Sequence, residues 1–417
     1  MRPFKRFALP LLLILMVLLT ATACKRPTRR LVTFTPGPQQ ATTPPLQGVT
    51  PTAGVTSTPS PTPLPGPFGP AGYPSNINPL TGLAVSDPNL LIKRPILVKV
   101  SNESPHVRPQ AGLQSADNVW EYQMENLAVT RFTAVFYGQS PERAGSVRSA
   151  RLIDVNQLVD MYGGILVNSG ASSNYHYPGT PPRVLELLRA AKWGDRVISE
   201  DYVRASYGSP YLLRVPDMPR PGTADYHTLF AFPAEIWKLA TEKGWNQKPN
   251  LEGFAFNYAL PAGGTPTTGV DIEYGSRGFK RSWRYDPASG KWLASLEDRQ
   301  GAASDTPDQD YLTGKQLAFD NVVIVYAAHY PADFVEFQNE DGSVQLPSID
   351  IDLTGEGQCV LLRDGQRTDC IWKRVNKEGM LQFFDVNNHV MPFKPGQTWF
   401  DVASSNYAKP KIAFLPQ

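Results

Sequence analysis

The side chains best suited to chemistry crowd into one stretch of this chain: Asn102, Arg108, Gln110, Asp117, Glu121, Glu125, Arg131, Arg148, Ser149, Arg151 and Asp154. The planar fork of arginine recognises carboxylate or phosphate through two parallel hydrogen bonds. Arg148-Ser149 stands just ahead of a predicted helix, whose unpaired first amides and dipole favour an anion. Asn102, Arg108, Asp117, Arg131, Arg148, Ser149 and Arg151 are therefore the candidate ligand-binding residues. Glu121 and Glu125 fall on one side of a predicted strand and suit acid–base work if burial raises one of them. The same pattern also suits the solvated face of an ordinary antiparallel hairpin, and Arg151 with Asp154 an ordinary i,i+3 pair.

Other constellations are weaker. The chain has no Walker A loop, no His-Glu-x-x-His and no Gly-x-Ser-x-Gly elbow. His106, His176, His227, His329 and His389 are too scattered for a local zinc site. Asp305, Asp308 and Asp310 are oxygen ligands without the EF-hand spacing. No metal or cofactor is expected. Asn168-Ser169-Gly170-Ala171-Ser172-Ser173 follows a predicted strand, where α/β proteins place ligands, and also reads as a plain loop. His227 reads as a capping or core histidine.

The elements that must position these residues follow from periodicity. Pro95 to Val100 reads as a strand. Asp117 to Glu125 and Ala128 to Tyr137 read as a hairpin closed by Asn126-Leu127-Ala128. That loop sets Trp120 against Ala134, Tyr122 against Phe132 and Met124 against Thr130 on a core face. It puts Arg131 diagonal to Glu121 and Glu125 on the other face. A helix over Ala150 to Tyr162 carries the stripe Leu152, Val155, Leu158, Val159, with Ser149 as N-cap and Gly163-Gly164 as its stop. Ile165 to Val167 is a short strand; helices fit Pro182 to Trp193 and Pro233 to Gly244.

Beyond residue 250 the helical signal gives way to short strands: Phe254 to Leu260, Val270 to Tyr274, Phe279 to Tyr285, Lys291 to Ala294, Asn321 to Tyr326, Gly379 to Asp385 and Thr398 to Val402. Asp364-Gly365 is a type I′ turn signal. A hairpin closed there pairs Arg363 with Gln366, Leu361 with Thr368 and Cys359 with Cys370, which an oxidising compartment lets bridge. The expected fold class is α+β: a mixed α/β N-terminal domain over residues 73–250, then a mainly antiparallel β C-terminal domain over 251–417.

The N-terminus sets an address. Arg2, Lys5 and Arg6 precede an apolar run from Leu9 to Leu19 and the sequence Ala21-Thr22-Ala23-Cys24. This is the pattern of a lipoprotein signal peptide, residues 1–24, with Cys24 as the lipidated residue; the apolar run is short of the roughly 20 residues a span requires. Residues 25–72 hold 12 Pro and 10 Thr and no Asp or Glu. They read as a disordered tether, with a reach of about 40 Å as a coil and at most about 150 Å in polyproline II form. Seven of the 40 Lys and Arg lie in residues 1–72, leaving 33 against 38 Asp and Glu, a net charge near −5 for the rest. A basic nucleic-acid footprint is absent.

Several ordered motifs carry a resemblance. They are Asn78-Pro79-Leu80-Thr81-Gly82, Arg108-Pro109-Gln110-Ala111-Gly112-Leu113, Thr130-Arg131-Phe132, Val147-Arg148-Ser149-Ala150-Arg151, Asp320-Asn321-Val322-Val323-Ile324 and Pro395-Gly396-Gln397-Thr398-Trp399. With them the chain resembles the YerB-like bacterial lipoprotein family, of uncharacterised function, across roughly residues 76–403. It departs from that family's pattern at Thr228, where Asn is common, and at Asn168, where His is common. The resemblance implies an envelope lipoprotein of two family domains and assigns no reaction. Three readings follow. The first is a membrane-anchored protein binding an anionic or hydroxylated envelope ligand through the Arg/Glu cluster. The second is an envelope-glycan hydrolase or transferase using Glu121 and Glu125. The third is a protein-interaction module using the β domain.

Overall fold

The computed structural model describes residues 66–417 apart from 103–104, 126–128, 172–182, 202, 276–278, 298–302 and 339–342. Cys24, the leader, residues 25–65 of the expected tether, the Asn126-Leu127-Ala128 loop and Ser172-Ser173 lie outside the described residues. In chain order the first strands are β1 (Ile96–Ser101), β2 (Asn118–Gln123), β3 (Thr130–Phe136), β4 (Ile165–Val167) and β5 (Val197–Ile198). Then come β6 (Gly269–Tyr274), β7 (Phe279–Asp286), β8 (Lys291–Glu297), β9 (Asn321–Gln338) and β10 (Gln345–Asp352). The last are β11 (Gly355–Arg363), β12 (Gln366–Arg374), β13 (Gln382–Phe384), β14 (Thr398–Ser404) and β15 (Lys411–Leu415). A π-helical turn, Asp154–Leu158, runs into helix α1 (Val159–Tyr162); α2 is Arg183–Ala190 and α3 is Pro233–Glu242. Strand dominates, at 40% against 14% helix.

One large mixed sheet runs β13-β12-β11-β9-β14-β2-β3-β1-β4-β5, with β10 paired to β9. Its middle joins the two halves of the sequence: β14 lies parallel to β2 with Glu121 beside Asp401, and parallel to β9 with Val323 beside Phe400. A second sheet takes β8, β7, β6 and β15 in that order, with short flanking strands. The sequence boundary at residues 250 and 251 therefore does not separate two sheets, and the described residues form one compact unit.

The large sheet is buried on both sides. Leu97, Trp120, Tyr122, Val135, Leu166, Val323, Cys359 and Phe400 pack with Leu158, Val159, Tyr162, Leu188 and Trp193 of the helical layer. Ile96, Val98, Val119, Phe132, Val322 and Trp399 pack with α3 and with Val270, Ile272, Trp283 and Trp292 of the second sheet. This sandwiching explains why both faces of β2 and β3 are buried, polar residues included; the solvated hairpin face expected from the sequence does not exist here.

The hairpin register also differs by one residue. Trp120 pairs with Thr133, Tyr122 with Arg131 and Glu121 with Phe132. Met124 donates its amide to the Val129 carbonyl, at 3.0 Å, in the same shifted register. Because side chains alternate with period two, a slip of one residue moves a whole set to the other face. Arg131 therefore shares the helical side with Tyr122, while Glu121 points toward the second sheet.

Other expectations hold or shift locally. The Cys359 hairpin has the expected register, Cys359 opposite Cys370 and Arg363 opposite Gln366, and the two cysteines form a disulfide. Asp364 and Gly365 both take positive φ, 50° and 70°, as a type I′ turn requires. Gly163 ends α1 in the left-handed conformation, φ 55°. Phe254 to Leu260 is not a strand; Phe256 only bridges Phe68 and Phe393. That contact, with the Gly72 amide on Glu252 at 2.8 Å, packs part of the 66–72 segment that the sequence assigned to the tether.

Candidate functional site

Two buried ionic networks hold most of the candidate residues, one on each face of the large sheet. On the face toward the second sheet, Glu121 meets Arg281 of β7 at 2.9 Å, and Arg281 meets Asp308 at 2.6 Å. Arg281 and Glu121 are both 0% exposed. Thr130 Oγ1 donates to Glu121 at 2.6 Å, and Asn102 Nδ2 donates to Thr130 Oγ1 at 2.8 Å. Arg108 then holds Asn102, with 3.1 Å bonds to both its side-chain and main-chain oxygens. The Arg281 guanidinium also lies over the rings of Trp399, Phe132 and Phe279. Beside it Asp401 accepts from Tyr274 and Trp283, at 3.0 and 2.9 Å. Burial pushes the Asp401 carboxyl up to about 7, Glu121 adds to that, and Arg281 with the two hydrogen bonds opposes it.

Arg281 is the partner that sequence reasoning missed. Its signal is nonetheless in the sequence: alternation along β7 places Arg281 between Phe279 and Trp283 on the apolar side, an inward-facing charge that demands a buried counter-charge. Asp308, considered with Asp305 and Asp310 as an oxygen ligand, is that second counter-charge. Asp310 instead accepts the amides of Gln114 and Leu312, at 3.0 and 2.8 Å, and Asp305 pairs with Arg284 at 2.9 Å. Among the described residues no group of three His, Cys, Asp or Glu could hold a metal ion.

On the helical side, Lys99 of β1 pairs with Asp154 at 3.0 Å, both fully buried. Asp154 also accepts from Tyr122, Thr133 and the Arg151 amide, at 3.0, 2.7 and 2.8 Å. Asp154, rather than Ser149, thus secures the first turn of the helical segment. Burial pushes the Lys99 amine down to about 7; Asp154 works against that, while Arg131 and Arg151 add to it. Arg151 pairs with Glu125 at 2.8 Å and Glu336 at 3.4 Å. Arg131 and Arg151 both donate to the Ser149 carbonyl, at 3.1 and 3.5 Å. Glu121 and Glu125, read together from the sequence, are thus held by different arginines.

Asp117 is remote from both networks. Its carboxylate clamps the Tyr137 and Gly138 amides, at 2.6 and 3.1 Å, and accepts from Asn78 at 2.6 Å. Burial raises it to about 6 against those hydrogen bonds. The Asn78-Pro79-Leu80-Thr81-Gly82 motif is therefore a turn docked on a buried carboxylate.

What remains is the edge where parallel strands β1 and β4 end. Arg148 donates its amide to the Lys99 carbonyl, and Ser169 donates to the Arg148 carbonyl, each at 3.0 Å. Ser101 donates its amide to the Ser146 carbonyl at 2.9 Å. Val147 bridges Val100, so Ser146 and Arg148 turn to the same side as Ser101, Lys99 and Arg131. Arg148 is half-buried and lies over the exposed Tyr226 ring at 5.5 Å. His227 is buried in the adjacent 3₁₀ turn. Ser101 Oγ, Ser146 Oγ and Asn168 Oδ1 are buried there with no hydrogen-bond partner among the described residues.

Fold and site define an α+β protein with a β-rich double-sheet body, buried ion networks and an arginine-lined sheet edge. The chain belongs to the DUF3048 family of proteins of unknown function: the N-terminal domain of that family matches residues 80–246 and its C-terminal domain matches residues 270–400. It is 29% identical over 332 residues to the Bacillus subtilis protein named "Putative lipoprotein YerB", covering 78% of this chain and 85% of that one. The crystal structure of YerB from Bacillus subtilis superposes with a TM-score of 0.60 at 27% identity, over 81% of this chain and 99% of that one.

Proposed function

We propose that this chain is an extracytoplasmic lipoprotein, anchored through Cys24, that binds an anionic, hydroxylated envelope ligand at the sheet edge around Arg148. The observation that carries the binding site is the set of buried polar atoms there without partners, Ser101 Oγ, Ser146 Oγ and Asn168 Oδ1. A buried polar atom left without a partner costs about 1–3 kcal/mol, and a ligand with both acceptors and hydroxyl donors removes that cost. Arg148 and Arg131 supply the positive field, and the Asn168 oxygen takes a ligand hydroxyl. The anchor rests on the sequence pattern ending at Cys24 and on the name of the Bacillus relative.

Binding is favoured over acid–base catalysis because Glu121 and Glu125 are each engaged by a separate arginine. The enzyme reading calls for a free carboxylate pair; the interaction-module reading calls for partner capture that depends only on residues 251–417. The test is native mass spectrometry of the full chain in detergent after incubation with envelope extract, beside Arg148→Ala and Ser146→Ala. A bound species on the parent that both variants lose, with circular dichroism unchanged, supports the site. Equal ligand retention by both variants rejects it.

A further inference from the structure

A second cleft, at the C-terminal end of α1, has an uncompensated positive charge. It encloses about 670 Å³ and is lined by Arg94, Asp160, Lys192, Arg196, Asn250 and Lys377 among others, with Glu378 at its rim. Arg94 donates through Nη1 to the Gly163 carbonyl at 2.7 Å, and Arg196 donates through Nε to the next carbonyl, Gly164, at 3.4 Å. Consecutive carbonyls at the C-terminal end of α1 thus hold the two guanidiniums side by side, where the helix dipole favours cations.

The acids nearby are already engaged. Asp160 pairs with Lys377 at 3.0 Å, Glu378 pairs with Lys192, and Asp195 pairs with Arg204 at 2.9 Å. Arg94 gives two more of its five N–H donors to neutral oxygens, the Trp245 carbonyl at 2.7 Å and Gln247 Oε1 at 3.3 Å, which leaves one on each terminal nitrogen. Arg196 makes no ion pair within 4.0 Å among the described residues. Burial lowers Arg196 to about 10, and the neighbouring Arg94 adds to the lowering while Asp160 and Asp195 oppose it. Two partly buried guanidiniums repelling one another beside a ligand-sized cleft form a strained pair that an anion relieves.

We propose that this cleft, distinct from the Arg148 edge, binds a phosphate-type oxyanion between Arg94 and Arg196. The two forks offer the paired N–H donors that a tetrahedral oxyanion accepts, and Asn250 lines the same cleft. Arg94, Arg196 and Asn250 come from the first half of the chain, and Asn376 to Gly379 of the second half line the cleft with them.

The experiment is calorimetric titration of the detergent-solubilised full chain with inorganic phosphate, at constant ionic strength against chloride. Saturable binding is expected in the parent. Arg196→Gln should weaken it by at least about tenfold, the loss of one charge-assisted pair of bonds. Arg196→Lys, which keeps the charge and loses the fork, should fall between, and it decides the matter if Arg196→Gln fails to fold. Arg148→Ala should leave phosphate affinity unchanged. No saturable heat beyond chloride, unchanged affinity in both Arg196 variants, or loss of binding in Arg148→Ala would each overturn the proposal. Only the last of these outcomes would point back to the sheet edge.

Discussion

Arg281→Met tests the central network most directly. The native guanidinium meets Glu121 at 2.9 Å and Asp308 at 2.6 Å, all three groups being at most 1% exposed. Stranding one buried charge costs about 3–5 kcal/mol, and this substitution strands two. Each carboxylate can escape by protonating. Holding a carboxyl neutral at pH 7 against an unfolded value near 4 costs about 4 kcal/mol. The expected destabilisation at neutral pH is therefore about 4–8 kcal/mol, comparable with the whole stability of many domains. Its pH dependence follows from sign: in the variant the folded-state carboxyls titrate above their unfolded values. The penalty is thus absent below about pH 4 and grows as pH rises through the unfolded values. Urea unfolding followed by tryptophan fluorescence, at about pH 4.5 and pH 7.5, should show a deficit several kcal/mol larger at the higher pH. The added changes Glu121→Gln and Asp308→Asn should recover much of it. A deficit equal at the two pH values, or below about 1 kcal/mol at pH 7.5, would refute the reasoning.

Three further outcomes are expected. Lys99, lowered to about 7, holds no proton in the folded state between about pH 7 and the unfolded value near 10.4, where the unfolded chain does. Its contribution to stability therefore rises with pH across that window, by up to about 2.7 kcal/mol from pH 7 to 9; Lys99→Met should remove this slope, and parallel curves for parent and variant would show that Lys99 stays charged. Replacing Cys359 and Cys370 with Ser, eleven residues apart, should cost about 2–3 kcal/mol, and peptide mapping of unreduced protein should find neither thiol alkylated. Cys24→Ser should move the protein from the membrane to the soluble fraction, whereas continued membrane retention would count against the anchor.

Much of the second half was legible because its signals are local. Asp364-Gly365 sets the turn, and the turn sets the register that places Cys359 opposite Cys370. Alternation likewise found β6, β7 and β14 to within a few residues. The candidate cluster was legible as composition but not as geometry. A one-residue shift of register between β2 and β3, invisible to periodicity, placed Arg131 and Glu121 on opposite faces. The polarity of Glu121 and Glu125 suggested solvent, whereas both are buried, Glu121 under the second sheet. That burial depends on pairing between β2 and β14, about 280 residues apart in sequence, and no local pattern encodes a partner at that distance. Arg94 and Arg196 went unnoticed for a similar reason: two separate arginines become a pair only when Gly163 and Gly164 bring them together.

The parallel pairing of β14 with both β2 and β9 has a consequence for biogenesis. A chain emerging N-terminus first exposes the β2 edge, with its unpaired main-chain groups, long before residue 398 arrives to cover it. Non-local pairings of this kind close late and slowly, and an open strand edge invites pairing with another chain. The N-terminal half alone would be a template without its central strand. Truncations near residue 250, although they follow the boundary of the family's two domains, should yield aggregates instead of two soluble pieces.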